Sequence, residues 1–211
     1  MAKELVFYTN PMSRGRIVRW MLEEVGQPYR TVILDYETTL KAPEYLAINP
    51  MGKIPAITHG GTVVTEGAAI CAYLADAFPQ AGLAPPPEDR ADYYRWLFFA
   101  AGCVEAAVTA RSLGFEPKPE QKRMAGFGSL ADVQDALEAA VKDREFIAGG
   151  RFSAADVYVG SQIGWGMQFG SIEKRPAFEA YFGRLFMRPA AVRAREIDDA
   201  LIAAQPQPQP A

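Results

Sequence analysis

The sequence predicts an α/β domain followed by an all-α domain, and three observations carry that prediction. Over the first eighty residues the elements alternate in type, short apolar strands giving way to segments with the three-to-four-residue spacing of helices. A proline-rich stretch, Ala84-Pro85-Pro86-Pro87, then interrupts the pattern. Beyond it, every periodic segment is helical.

Leu5 to Tyr8 is a short apolar strand, closed by Thr9-Asn10-Pro11. From Ser13 the spacing turns helical: Ile17, Trp20, Met21 and Val25 share a face, Glu23 and Glu24 point out, and Gly26 stops the helix. Tyr29 to Leu34 is a second strand, and strand–helix–strand order implies a parallel pair. A short helix is expected over 43–47. Ile54 to Thr58, a His59-Gly60-Gly61 turn and Thr62 to Val64 spell a hairpin. Glu66 opens the next helix, which ends near Phe78-Pro79, so the order is β-α-β-α-β-β-α. Helices are then expected over 90–113, 119–143, 153–169, 176–187 and 189–204. The predicted domains are residues 1–79 and 91–204, joined by a linker at 80–90. The polar, proline-alternating segment 205–211 is expected to be disordered.

Composition excludes several classes. With 211 residues, 49% hydrophobic and 22% charged, the chain reads as an ordinary globular protein. A net charge of −3 gives no basic field for nucleic acid or an anionic membrane. No window approaches the roughly 20 apolar residues of a membrane span. The N-terminus, Met-Ala-Lys-Glu before a strand, lacks the apolar core of a signal peptide, so a cytoplasmic address is expected. Cys71 and Cys103 read as reduced core residues, His59 as a turn residue, and no metal centre is expected.

Pro55 is the odd residue of the first domain. It sits in "NPMGKIPAI" inside what reads as a buried strand, although proline has no N–H for a sheet ladder. Either an edge strand begins at Pro55, or the Ile54–Pro55 bond is cis.

Four stretches in order carry a resemblance: "NPMGKIP", "TEGAAICAYLAD", "FSAADV" and "RPAFEAYFGRLFMRPAAVRA". Over residues 4–203 the chain resembles the cytosolic glutathione S-transferases, of bacterial and serine-dependent type. The resemblance implies a thioredoxin-like N-terminal domain and an all-helical C-terminal domain. It also implies glutathione as co-substrate, no metal, a small hydrophobic electrophile, a role in detoxification and a homodimer. It selects the cis form of Pro55, with the N–H and C=O of Ile54 paired to the cysteinyl backbone of glutathione.

The chemistry such a site needs is ionisation of a thiol. A free thiol with a pKa of about 8.5 is only a few per cent thiolate at neutral pH. Lowering it by about 2 units takes roughly 2.7 kcal/mol of preferential stabilisation. A hydroxyl donor beside a helix N-terminus is of that size. Taken alone, Ser13 reads as a helix N-cap; under the resemblance it becomes the catalytic thiolate donor, with Tyr8 and Asn10 as alternatives. No cysteine occurs in that segment, which disfavours a disulfide reductase. Glu66 and Gly67 resemble the pair that holds the γ-glutamyl end, although the family usually has serine second. Lys41 and Lys53 are candidates for the glycyl carboxylate. Arg16 and Arg19 read as a solvated or intersubunit face, and Ser153 with Asp156 as a capping box. Two rivals stand beside the transferase: a non-catalytic binding protein that kept the fold, and a glutathione-dependent isomerase or peroxidase.

Overall fold

The computed structural model describes residues 3–204, so the expected disorder of 205–211 concerns residues outside those described. Contacts divide the chain into two compact units, residues 3–74 with 188–204, and residues 75–187.

The first unit is built on strands β1 (Leu5–Thr9), β2 (Arg30–Ile33), β3 (Ala56–His59) and β4 (Thr62–Thr65), in the order β2-β1-β3-β4. β1 runs parallel to β2 and antiparallel to β3, and β3 is antiparallel to β4. Helices α1 (Gly15–Val25), α2 (Pro43–Leu46) and α3 (Gly67–Ala77) complete the expected β-α-β-α-β-β-α order. β1 is the central strand that its apolar run requires, with Leu5, Val6 and Phe7 all buried. α1 ends at Gly26, whose φ of 69° provides the left-handed cap. A Cβ at Gly15 would lie 1.8 Å from Thr9 Oγ1, so only glycine lets α1 begin this close to β1.

The last helix, α9 (Pro189–Ala203), packs on α1 within this first unit, where the sequence reading grouped it with the helical domain. The pairing of α1 with α9 also corrects the expectation for Arg19, which is buried. Its Nε donates to Asp198 Oδ1 at 3.1 Å and its Nη1 to Thr31 Oγ1 at 2.8 Å. Arg16 does lie near the surface, and it meets Asp199 of the same chain at 2.7 Å.

The second unit contains α4 (Ala91–Phe99), α5 (Glu105–Ser112), α6 (Leu130–Val141), α7 (Ala154–Phe169) and α8 (Pro176–Phe186). α4 runs into α5 through a π-helical turn, Ala100–Val104. α7 is buried along most of its length, the polar Asp156, Ser161 and Gln162 included. The expected helix over 119–143 is two pieces instead: a 3-10 turn, Pro119–Gln121, and then α6. Gly128 with φ 66° breaks the helical path, and Ser129 restarts it by accepting the Asp132 N–H. The capping box at Ser153 and Asp156 forms as expected. Both cysteines are free, and burial pushes the Cys71 thiol well above its usual range. Among the described residues, no helix is long and apolar enough to cross a membrane.

Candidate functional site

Sheet register gathers the candidate residues at one end of the first unit. Tyr8 of β1 pairs with Ala56 of β3, and Ala56 pairs with Thr65 of β4. This row places Tyr8 at one end, Ile54–Pro55 just before its middle and Glu66–Gly67 just after its far end. With strands about 4.8 Å apart, the row spans about 10 Å. The turn from Asn10 to Arg14 leaves β1 at the same end and delivers Ser13 to the start of α1.

The Ile54–Pro55 bond is cis, and β3 begins only at Ala56. Among the described residues, neither the N–H nor the C=O of Ile54 has a hydrogen-bond partner. The Ile54 side chain packs with Tyr8 against a cluster of Leu34, Leu40, Tyr45 and Ala56. Tyr8 and Tyr45 ring centroids lie 5.7 Å apart.

The three proposed donors sit differently. The Ser13 hydroxyl donates to the Asn10 carbonyl at 2.6 Å and accepts the Gly15 N–H at 2.9 Å, but the N-cap residue of α1 is Arg14, one position after the expected Ser13. Asn10 is buried; its amide donates to Leu34 O at 2.9 Å and its Oδ1 accepts the Met12 N–H. It fastens the exit of β1 to the exit of β2. The Tyr8 hydroxyl has no hydrogen-bond partner among the described residues. α1 has no acidic residue in its first turn, so nothing there offsets its positive end.

Glu66 stands before α3 with φ 65°, a left-handed backbone in a non-glycine residue. Strain of this kind concentrates at functional sites. Its carbonyl accepts the Ile70 N–H at 2.8 Å, while its exposed carboxylate has no partner among the described residues. The N–H groups of Gly67, Ala68 and Ala69 precede the first intrahelical bond, the position at which a helix start can receive an anion. The two lysines differ as well. Lys41 Nζ donates to the carbonyls of Met51 at 3.1 Å and Gly52 at 3.0 Å, whereas the Lys53 ammonium has no partner among the described residues.

Residues 12–77 match the family model of the glutathione S-transferase N-terminal domain, and residues 98–189 match that of the C-terminal domain. The glutathione S-transferase GstA of Escherichia coli O157:H7 is 30% identical over 189 residues, which cover 86% of this chain and 90% of that protein. The chain belongs to the glutathione S-transferase family. Solved members of that family share the fold. A sphingomonad glutathione S-transferase complexed with glutathione has a TM-score of 0.74 at 29% identity, covering 92% of this chain and 98% of that one. The glutathione S-transferase from Xylella fastidiosa has a TM-score of 0.77 at 25% identity, covering 93% and 99%.

Two residues of this glutathione S-transferase family member escaped the sequence reading. Tyr45 and Asn49 are both buried, and both donate to the Lys53 carbonyl, directly before Ile54. Burial pushes the Tyr45 phenol up to about 12, which keeps it protonated and a donor. Their four-residue spacing at the end of a short helix was the available signal.

Proposed function

We propose that this protein binds glutathione at the Tyr8–Ala56–Thr65 end of its sheet, holds its thiol as the thiolate, and transfers that sulfur to a small hydrophobic electrophile. The unpartnered backbone of Ile54 carries the reading. It offers one donor and one acceptor just before the start of β3, the groups that antiparallel pairing with the cysteinyl residue of a peptide requires. The free carboxylate of Glu66 would take the α-amine of the γ-glutamyl group. The Gly67 N–H and the N-terminus of α3 would take its carboxylate. Lys53, with a free ammonium, suits the glycyl carboxylate. Ser13, at the positive end of α1, would donate to the thiolate, a charged acceptor that competes well with the Asn10 carbonyl it now serves. The electron pair of the thiolate then forms the new carbon–sulfur bond as a leaving group departs or a conjugated double bond accepts it. The same reading includes a cytoplasmic homodimer, and Phe98, 73% exposed on α4, is a large apolar side chain that a second copy could cover.

One observation favours a second assignment of the donor. Tyr8 has a free hydroxyl and packs in the same cluster as Ile54, so its donation would break no existing bond.

The test is an ultraviolet difference titration of glutathione at mildly acid pH, with Ser13→Ala and Tyr8→Phe beside wild type. A thiolate band lost in Ser13→Ala alone supports the first assignment, and one lost in Tyr8→Phe alone supports the second. Binding without any thiolate band would reduce the protein to a glutathione-binding module, and no binding would overturn the reading.

A further inference from the structure

The loop before Ile54 is fastened by Lys41, Tyr45 and Asn49. Lys41 Nζ holds the carbonyls of Met51 and Gly52, and the Tyr45 hydroxyl and Asn49 amide hold that of Lys53, the amide at 2.8 Å. Asn49 also closes the loop on itself: its Oδ1 accepts the Met51 N–H at 3.1 Å and its carbonyl the Gly52 N–H at 2.8 Å. Three successive carbonyls are therefore occupied, and the next residue, Ile54, has both backbone groups open among the described residues. Gly52 has φ 55°, and a Cβ there would lie 2.7 Å from Lys41 Nζ and 3.1 Å from Leu40 O. The lysine thus fills the space that a side chain would need, against a left-handed turn that favours glycine.

We infer that Lys41, Tyr45 and Asn49 are positioning residues, a clamp that fixes the 51–53 backbone so that Ile54 meets its ligand already aligned. Lys41 acts through the loop and is not itself the ligand of the glycyl carboxylate. This inference rests on the reading that Ile54 pairs with glutathione. A preorganised segment loses less conformational freedom on binding, so releasing the clamp weakens affinity without touching the thiol. The chemistry at sulfur depends on other residues and stays as it was.

The experiment compares two ligands, glutathione and its glycyl monoethyl ester, which lacks the free carboxylate. Calorimetry gives Kd for each with wild type, Lys41→Met, Tyr45→Phe and Lys53→Met. Steady-state assays with an activated aryl halide give KM and kcat. Lys41→Met and Tyr45→Phe are expected to raise Kd and KM by about fivefold for both ligands alike. In both, kcat and the bound-thiol pKa stay unchanged. The thermal midpoint holds in Lys41→Met, whereas Tyr45→Phe, which loses a buried hydrogen bond, melts lower; Lys41→Arg recovers the affinity. Lys53→Met is expected to weaken the free acid only. Lys41 is exposed, so its variants carry the test even if Tyr45→Phe folds poorly. A Lys41→Met penalty that vanishes with the ester would make Lys41 a direct carboxylate ligand and overturn the clamp, as would unchanged affinity for both ligands. Failure of wild type to bind either ligand would instead remove the glutathione reading, and the clamp with it.

Discussion

Asp198→Ala is expected to destabilise the protein by about 3–5 kcal/mol, the usual effect of removing one partner from a buried ion pair. Arg19 and Asp198 are each 1% exposed and meet at 3.1 Å, with the guanidinium 5.0 Å from the Phe7 ring centroid and 5.6 Å from that of Tyr29. Without the carboxylate, a cation remains inside the α1–α9 interface with only Tyr29 and Thr31 to receive its hydrogen bonds. The pair itself is incompletely satisfied, since among the described residues Arg19 Nη2 and Asp198 Oδ2 are buried without partners. An apolar pair should therefore serve nearly as well. Arg19→Met with Asp198→Leu leaves the Tyr29 and Thr31 oxygens short of a donor and is expected within about 2 kcal/mol of wild type. Urea unfolding measures both variants. At roughly 2.1 cal/mol/K of unfolding entropy per residue, a 4 kcal/mol loss corresponds to a midpoint lower by about 10 °C. A cost below 1 kcal/mol for Asp198→Ala would refute the buried pairing of α9 with α1. A double variant as damaged as the single would refute the electrostatic explanation.

Burial raises the Asp198 carboxyl above its ordinary value of 3.8 despite Arg19, so the folded state binds its proton more readily than the unfolded chain. That contribution is full below 3.8 and lost as pH rises through the folded value. The advantage of wild type over Asp198→Asn should thus widen as pH falls from neutral, and urea midpoints that converge would contradict it. Gly67→Ser restores a hydroxyl at the start of α3 and is expected to tighten glutathione binding about tenfold or more; unchanged calorimetric affinity would remove the γ-glutamyl assignment. Asp156, 0% exposed, accepts from Ile147 N, Ser153 N, Ser153 Oγ and Tyr181 Oη at 2.7–3.0 Å. Asp156→Ala should cost about 3–5 kcal/mol and Asp156→Asn less, with thermal melts as the measure.

What was legible in the sequence had a local cause. Strand β1 announces itself by an apolar run, α1 by its spacing and Gly26, and the helical unit by the capping box at Ser153. Each depends on residues within a few positions of one another. One misreading involves a partner far along the chain. Arg19 reads as a surface residue on its own helix, and its partner lies 179 positions later. The break before α6 was written in Gly126, Gly128 and Ser129, yet apolar residues on either side disguised it as one long helix. At the candidate site, "NPMGKIP" marked the loop, but the role of Tyr45 could not be read from it, because that role requires the chain to fold back onto the Lys53 carbonyl.

How far the bound thiol is acidified would itself tell which hydroxyl acts. For Ser13, donation to a thiolate replaces an existing bond to the Asn10 carbonyl. Exchanging a neutral acceptor for a charged one nets about 1–1.5 kcal/mol. The N-terminus of α1, with no acid in its first turn, adds about 0.3–1 kcal/mol. Together these lower a thiol from about 8.5 to about 7. Tyr8 has no bond to give up, so its full charge-assisted bond of about 1.5–3 kcal/mol counts, and with the same helix end the thiol reaches about 6. A bound-thiol pKa near 7 that rises by about 1 unit in Ser13→Ala, and stays put in Tyr8→Phe, assigns the serine. A value near 6 cannot come from Ser13 alone, because the bond it must surrender has already used part of what it could give.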